Sequence, residues 1–289
     1  MQTKNFRDQQ LTIGLDLGDR SSWYCVLDAV GGVLLEQRLS TTPKAMQEVF
    51  GGMPRSRKAQ ADLTLIRARA GLVRARTALV NTARGLANSY GERLRGCNVR
   101  NMNPEKAEGL SPELQAALEP LLAAAESLSG QIREYNQRIE VLAEQSYPEV
   151  ALLKQVKGVG TLIALTFLLT LEDAHRFHKS RDVGCYLGLQ PGRRNSGQSE
   201  PQMHISKEGD PYLRTLMVQG AQHILGPFGP DCDLRRWGLK LAERGGKNGK
   251  KRAIIATARK LAVLLHRLWV SGEVYEPFHN RKPMAATAA

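Results

Sequence analysis

The residues with the clearest chemical potential lie in a turn-rich stretch in the second half of the chain. Arg193 and Arg194 stand immediately before Asn195, Ser196 and Gly197. Glycine, proline, serine and asparagine are common around them, so the backbone is predicted to form a loop. A serine hydroxyl beside two guanidinium groups is a candidate phosphate-reactive nucleophile, and the adjacent glycine leaves room for a bulky partner. Because serine in such a loop is more often a turn residue, the rest of the chain has to decide between these interpretations.

The charge of the chain favours a polyanionic partner. The 289 residues carry a net charge of +13, which is typical of proteins that bind nucleic acid. Nine basic and two acidic residues lie between 58 and 104, whereas residues 105–150 hold three basic and nine acidic ones. Residues 151–289 are basic again, with 22 basic against 11 acidic side chains. Two basic blocks therefore flank an acidic one.

Composition also predicts a cytoplasmic protein. The cysteines, Cys25, Cys97, Cys185 and Cys232, are scattered, so neither a zinc site nor a disulfide framework is indicated. The apolar run 162–171 is too short to cross a bilayer, and the N-terminus has no apolar signal core. No membrane association is expected.

Residues 11–40 have the pattern of a β-meander, with three short strands and a Gly31-Gly32 turn. The first strand, LTIGLDLG, places Asp16 between leucines. It is similar to the first strand of ribonuclease-H-like folds, in which that Asp binds Mg²⁺. A strand-end turn residue is the simpler interpretation of Asp16. A sugar-kinase-like ATPase is excluded, since no second phosphate loop follows.

A long amphipathic helix is predicted from Lys58 onward. Leucines recur every seven residues on one face, at Leu65, Leu72, Leu79 and Leu86, and are joined there by Ile66, Val73 and Val80. Arginines lie on its other faces, and Arg74 and Arg76 are predicted to contact nucleic acid. A merely solvated face is the alternative.

Residues 105–146 predict a second long helix, with a coiled-coil repeat. The apolar positions are Leu114, Leu118, Leu121, Ala125, Leu128, Ile132, Tyr135, Ile139 and Leu142. Its acidic surface does not suit nucleic acid. The helix is therefore expected to pair with the basic helix or with another protomer.

The C-terminal region is predicted to be helical. Gly158 and Gly160 separate two helices, as in a phosphate-binding helix-hairpin-helix or in an ordinary αα-hairpin. Asp210 is the predicted N-cap of a helix that begins near Pro211, and Lys207 and Arg214 are predicted nucleic-acid contacts beside it. Further on, Lys250, Lys251 and Arg252 are predicted to grip a phosphate backbone.

Six stretches, taken in order, resemble the insertion-sequence 110 family of transposases: IGLDLGD, AQADLTLIRARAGLVRARTALVNTARG, LLKQVKGVGTLIALTFL, YLGLQPGRRNSGQSE, ISKEGDPYLRTLMVQGAQ and NGKKRAIIATARKLAVLLHRLW. The resemblance implies a RuvC-like domain with four acidic metal ligands, a coiled coil, and a C-terminal domain with a serine nucleophile. It implies DNA recombination in dimers or tetramers, in some members guided by a structured bridge RNA. By this resemblance Ser196 is the nucleophile, and Asp16 is the first ligand for Mg²⁺.

The N-terminal part departs from that family. MPRSR passes directly to KAQADLTLIRAR, where the family carries a segment with three further carboxylates. An internal deletion is implied, and one carboxylate cannot hold two catalytic metal ions. Two functions stay open: a serine transposase, and a catalytically impaired remnant that binds nucleic acid.

The expected fold is α+β and mostly α. Four segments are predicted: a truncated ribonuclease-H-like domain over 1–57, antiparallel coiled-coil helices over 58–148, a helical transposase domain with a helix-hairpin-helix over 149–280, and a disordered tail over 281–289.

Overall fold

The computed structural model describes residues 12–16, 18–28, 30, 32–42, 45, 49, 57–96, 98–177, 179–192 and 203–279. The chain divides into two compact units, Met1–Gln60 and Ala61–Ala289. The finer division predicted at residue 148 stays a prediction, and the tail from 281 lies outside the described residues.

The first unit contains a three-stranded antiparallel sheet, as the meander pattern predicts. Its strands are β1 (Thr12–Asp16), β2 (Ser21–Leu27) and β3 (Val33–Ser40), in that order across the sheet. Successive side chains of a strand point to opposite faces. Tyr24 and Val26 of β2 therefore share a buried face with Leu39 of β3.

A helical hairpin opens the second unit. Helix α1 (Arg57–Ser89) and helix α2 (Pro112–Ser146) run antiparallel. This is shown by two hydrogen bonds between them, from Arg69 to Asn136 and from Arg76 to Ser129. Gly109, at φ +85°, and Pro112 delay the start of α2 by seven residues relative to the predicted 105. The apolar contacts near the hairpin's closed end include Val80, Ala83, Ala87, Met102, Leu114, Leu118 and Leu122.

The predicted apolar face of α1 is confirmed for Ile66 and Val80, which are buried, but its leucines lie beside the buried stripe rather than in it. Leu65, Leu72 and Leu79 are half-buried and Leu86 is 45% exposed, whereas the buried stripe holds Ala59, Leu63, Ile66, Ala70, Arg76, Val80, Ala83 and Ala87. A corresponding shift occurs in α2, where Leu122, Ser129 and Ala143 are buried in place of Leu121, Leu128 and Leu142. Several of the buried residues on both helices are small, including Ala59, Ala70, Ala83, Ala125, Ser129 and Ala143.

The described residues of the second unit also form the shorter helices α3 (Glu149–Leu153), α4 (Thr161–Leu171), α5 (Ser180–Tyr186), α6 (Pro211–Leu225), α7 (Asp233–Glu243) and α8 (Gly249–Ser271). Helix α8 packs against α3, α5, α6 and α7. Its buried His266 bonds the Ala174 carbonyl and the Ser180 hydroxyl, so both ring nitrogens are satisfied. None of the helices in the described part of the chain has the length and apolarity needed to span a membrane.

Candidate nucleic-acid interface

The turn-rich stretch around Ser196 begins and ends in a short two-stranded stem. Pro191 and Ile205 form an antiparallel bridge. The Gly192 amide donates to the His204 carbonyl at 2.8 Å, and the Ser206 amide donates to the Gln190 carbonyl at 2.9 Å. Arg193, Arg194 and Ser196 themselves lie outside the described residues. The structure therefore shows how both ends of their loop are held together.

Two glycines allow the stem to close tightly. Gly188 has φ +63°, and an ideal Cβ there would lie 2.3 Å from the Glu208 amide nitrogen. Gly209 has φ +73°, and its Cβ would lie 2.0 Å from the Tyr186 carbonyl oxygen. Only glycine tolerates both the left-handed backbone and such close contacts. Lys207, between them, also has a positive φ, and its side chain is exposed at the stem.

Arg214 ties the two sides of the stem to α6. One of its guanidinium nitrogens donates to the Leu187 carbonyl at 3.1 Å and to the Glu208 carbonyl at 2.6 Å. Through these bonds the half-buried Arg214 holds the two sides of the stem against α6. Its predicted contact with nucleic acid stays a prediction that this geometry does not favour.

Asp210 joins the stem to the helical hairpin. Its carboxylate accepts from the Leu213 amide at 2.8 Å, which confirms the predicted N-cap of α6. The other carboxylate oxygen lies 3.3 Å from a guanidinium nitrogen of Arg67 on α1. The end of the stem, the start of α6 and the middle of α1 thus meet at one carboxylate.

The structure places Asp16 at the exposed end of β1, opposite Trp23. Among the residues that the structure describes, no three His, Cys, Asp or Glu side chains lie close enough together to hold a metal ion. Paired catalytic metals need several carboxylate oxygens. The described residues therefore do not fit a two-metal centre at Asp16.

The two glycines of the turn before α4 have different surroundings. Gly158, at φ +97°, packs against α6, where a Cβ would come within 2.8 Å of Ile224. Gly160 is exposed at the start of α4, but the next hydroxyl, of Thr161, donates to the Glu140 carboxylate at 2.6 Å. A phosphate bound at this helix start would face that carboxylate. Phosphate binding by Gly158 and Gly160 stays a prediction, and Glu140 opposes it.

Lys250, Lys251 and Arg252 are all exposed in the first turn of α8, which contains no acidic residue. The positive end of the helix dipole lies there, so cations are unfavourable at this position unless an anion is bound. Their contact with a phosphate backbone stays a prediction.

A large cleft lined by arginines lies between the helical hairpin and α6. We call it the arginine cleft, with a volume of about 1130 Å³. The arginines on its wall are Arg67, Arg69, Arg74, Arg76, Arg100 and Arg133, and Asp210 is the one carboxylate among the described lining residues. Tyr212 of α6 also lines it and hydrogen-bonds Arg69, while burial raises the pKa of the Tyr212 hydroxyl.

The two arginines predicted from sequence differ sharply within this cleft. Arg74 is exposed, as expected for an outer face of α1. Arg76 is only 9% exposed and belongs to the buried stripe, which corrects its predicted place on an outer face. The sequence reasoning did not identify Arg100 and Arg133 at all. For Arg76 the available signal was its spacing from Val80 and Ala83, four and seven residues further on, once those residues are taken as the seam.

A basic helical unit with a cleft lined by arginines is typical of proteins that bind a polyanion. Residues 150–232, which include the stem and its loop, match the transposase IS116/IS110/IS902 family. A probable family 20 transposase of Pseudomonas aeruginosa is 31% identical over 234 residues, 77% of this chain and 67% of that protein. The chain belongs to the IS116/IS110/IS902 family of transposases.

A second relative is similar over a shorter part of its length. The transposase for insertion sequence element IS1111A of Coxiella burnetii is 32% identical over 199 residues, which are 66% of this chain and 54% of the relative. The chain thus spans between about half and two thirds of these two curated relatives.

Proposed function

We propose that the chain is a DNA transposase that cleaves and exchanges strands through Ser196. Family membership and the geometry of the stem support this proposal. Two glycine contacts and the Arg214 bonds fix the ends of a loop that carries a hydroxyl between guanidinium groups and a glycine. The Ser196 oxygen attacks a DNA phosphorus and forms a phosphoserine ester, the bond to the departing strand's oxygen breaks, and the serine proton passes to that oxygen. Arg193 and Arg194 stabilise the charge on the phosphoryl oxygens.

Several finer features belong to this proposal. The sheet of the first unit fits the opening strands of a RuvC-like fold, and the hairpin of α1 and α2 fits a coiled coil through which protomers associate. A structured guide RNA is a further partner in the proposal. Mg²⁺ at Asp16 is an optional part, and the serine step is written without it because the described residues supply too few ligands.

A catalytically impaired remnant that binds nucleic acid is the second candidate. The observation in its favour is the exposed, isolated Asp16 among the described residues. Both candidates predict nucleic-acid binding, because the basic start of α8 and the arginine cleft are common to them. They differ in whether a covalent bond to DNA forms.

The test is the formation of a covalent adduct with labelled DNA that spans the flanks of the coding sequence. Reactions contain Mg²⁺ or EDTA, with and without RNA transcribed from the same flanks, and are resolved under denaturing conditions. The transposase proposal predicts an adduct that is lost in Ser196→Ala and kept in Ser199→Ala, a matched change in the same loop. Undiminished DNA binding without any adduct in every reaction would establish the remnant instead.

A further inference from the structure

Arg76 is a buried charge without a counterion among the described residues. It lies in the seam of the helical hairpin, and its Nη1 donates a hydrogen bond to the neutral Ser129 hydroxyl at 3.2 Å. Its Nε atom is buried with no partner. Burial, and then the charges of Arg100 and Arg69, lower the pKa of Arg76. A buried charge is costly unless an opposite charge compensates it, so this position calls for an anion.

The seam around Arg76 is built as two successive polar layers. Arg69 Nε donates to Asn136 Oδ1 at 2.9 Å, and Arg76 with Ser129 forms the next layer seven residues further on. Small or polar side chains at both layers replace the apolar contacts found nearer the hairpin's closed end. The hairpin is consequently open on the side of α6, where the arginine cleft lies.

The charges around the cleft exceed what its own carboxylate can neutralise. Asp210 already accepts the Leu213 amide and faces Arg67. Arg74, Arg100 and Arg133 form no ion pair with any described residue. Guanidinium groups match the oxygens of phosphate with paired hydrogen bonds, and several converging on one space suit more than one phosphate.

We propose that the arginine cleft is a binding site for the phosphates of a nucleic-acid strand, with Arg76 as its recessed anchor. The anchor lies below the surface, so the strand has to enter the cleft, as a single-stranded segment does and the face of a regular duplex does not. Apolar lining residues such as Val73, Ile132 and Leu216 provide surfaces against which sugar and base pack. The site does not depend on Ser196 being a nucleophile.

Inorganic pyrophosphate tests the site separately from any reaction on DNA. Titration calorimetry of the full chain is expected to show pyrophosphate binding that falls at least about tenfold in Arg76→Met, since charge-assisted hydrogen bonds are lost. Arg133→Met, an exposed change on the cleft wall, is expected to weaken binding by about threefold. Arg138→Met, on the same helix outside the cleft, is the matched control and leaves affinity unchanged. Equal affinity of wild type, Arg76→Met and Arg133→Met would overturn the proposal.

Fluorescence anisotropy with labelled 20-nucleotide strands identifies the source of the phosphates. Single-stranded DNA, single-stranded RNA and duplex DNA are compared, with pyrophosphate as competitor. Tighter binding of either single strand, sensitive to Arg76→Met and displaced by pyrophosphate, supports the proposal and shows which strand fits. If Arg76→Met weakens the binding of duplex DNA alone, a strand does not have to enter the cleft to reach Arg76, and the proposal is wrong. Because neither arm needs strand cleavage, failure here is distinguishable from failure of the transposase reaction.

Discussion

Replacing Arg76 by methionine is expected to stabilise the free protein. Arg76 contributes one hydrogen bond to a neutral hydroxyl, which is worth about 1 kcal/mol. Against this, its unpartnered Nε costs about 1–3 kcal/mol, and the neighbouring like charges add to the cost. Methionine retains an unbranched apolar stem in the same space. Ser129 is not orphaned by the change, because its hydroxyl also donates to the Ala125 carbonyl at 2.9 Å.

The net expectation is a gain of about 0–2 kcal/mol in the free energy of unfolding. Urea denaturation, followed by circular dichroism in a buffer free of phosphate and sulfate, measures it. Arg138→Met is expected to stay within about 0.5 kcal/mol of the wild type, as exposed substitutions usually do. If Arg76→Met loses stability by more than about 1 kcal/mol, Arg76 has a countercharge in the folded chain and the reasoning for an anion site is refuted.

Three further predictions concern the surfaces around the loop stem. Lys250→Ala with Lys251→Ala is expected to weaken binding to all DNA sequences and to reduce the slope of log K against log[salt] by about two, while the exposed Lys240→Ala leaves the slope unchanged. An unaltered slope in the double variant would show that the start of α8 does not touch phosphate. Gly209→Ala is expected to lose about 2–5 kcal/mol of unfolding free energy, from backbone strain and the clash with Tyr186. Gly272→Ala, which also has a positive φ but no atom within 4 Å, is expected to lose about 1–2 kcal/mol, and equal losses would contradict the tight stem. Asp210→Ala is expected to lose about 1 kcal/mol and Asp210→Asn less than half of that, since Asn still caps α6; equal losses would show that the Arg67 contact matters more than the cap.

Local signals in the sequence predicted much of the fold. The N-cap at Asp210 and the three-stranded meander depend on residues close in the chain, and the structure confirms both. The seam of the helical hairpin was predicted only in part, because two apolar frames overlap in α1. Leucines make the frame of Leu65 and Leu72 the more conspicuous, whereas alanines carry the buried one, and alanine contributes little to a hydrophobic pattern.

The arginine cleft could not be predicted from local sequence patterns, for a different reason. Its walls come from α1, α2, α6 and the loop at Arg100, and no pattern within one helix brings these segments together. A buried arginine on the seam also cannot be distinguished in sequence from an exposed one until it is known which face of the helix is buried. Only the structure shows that Arg76 is buried while Arg74, two residues earlier, is exposed.

The stem and the arginine cleft of the second unit are connected through Asp210. Asp210 caps α6, ends the stem and contacts Arg67 on the wall of the cleft. Under the proposal for the cleft, a phosphate bound by Arg76 would lie beside the helix start to which Asp210 joins the stem. The Arg214 bonds and the glycine contacts hold that stem, so we expect the position of a bound strand to determine which part of the strand passes it. Weakening the anchor should consequently change where along a strand the loop acts before it changes how fast it acts.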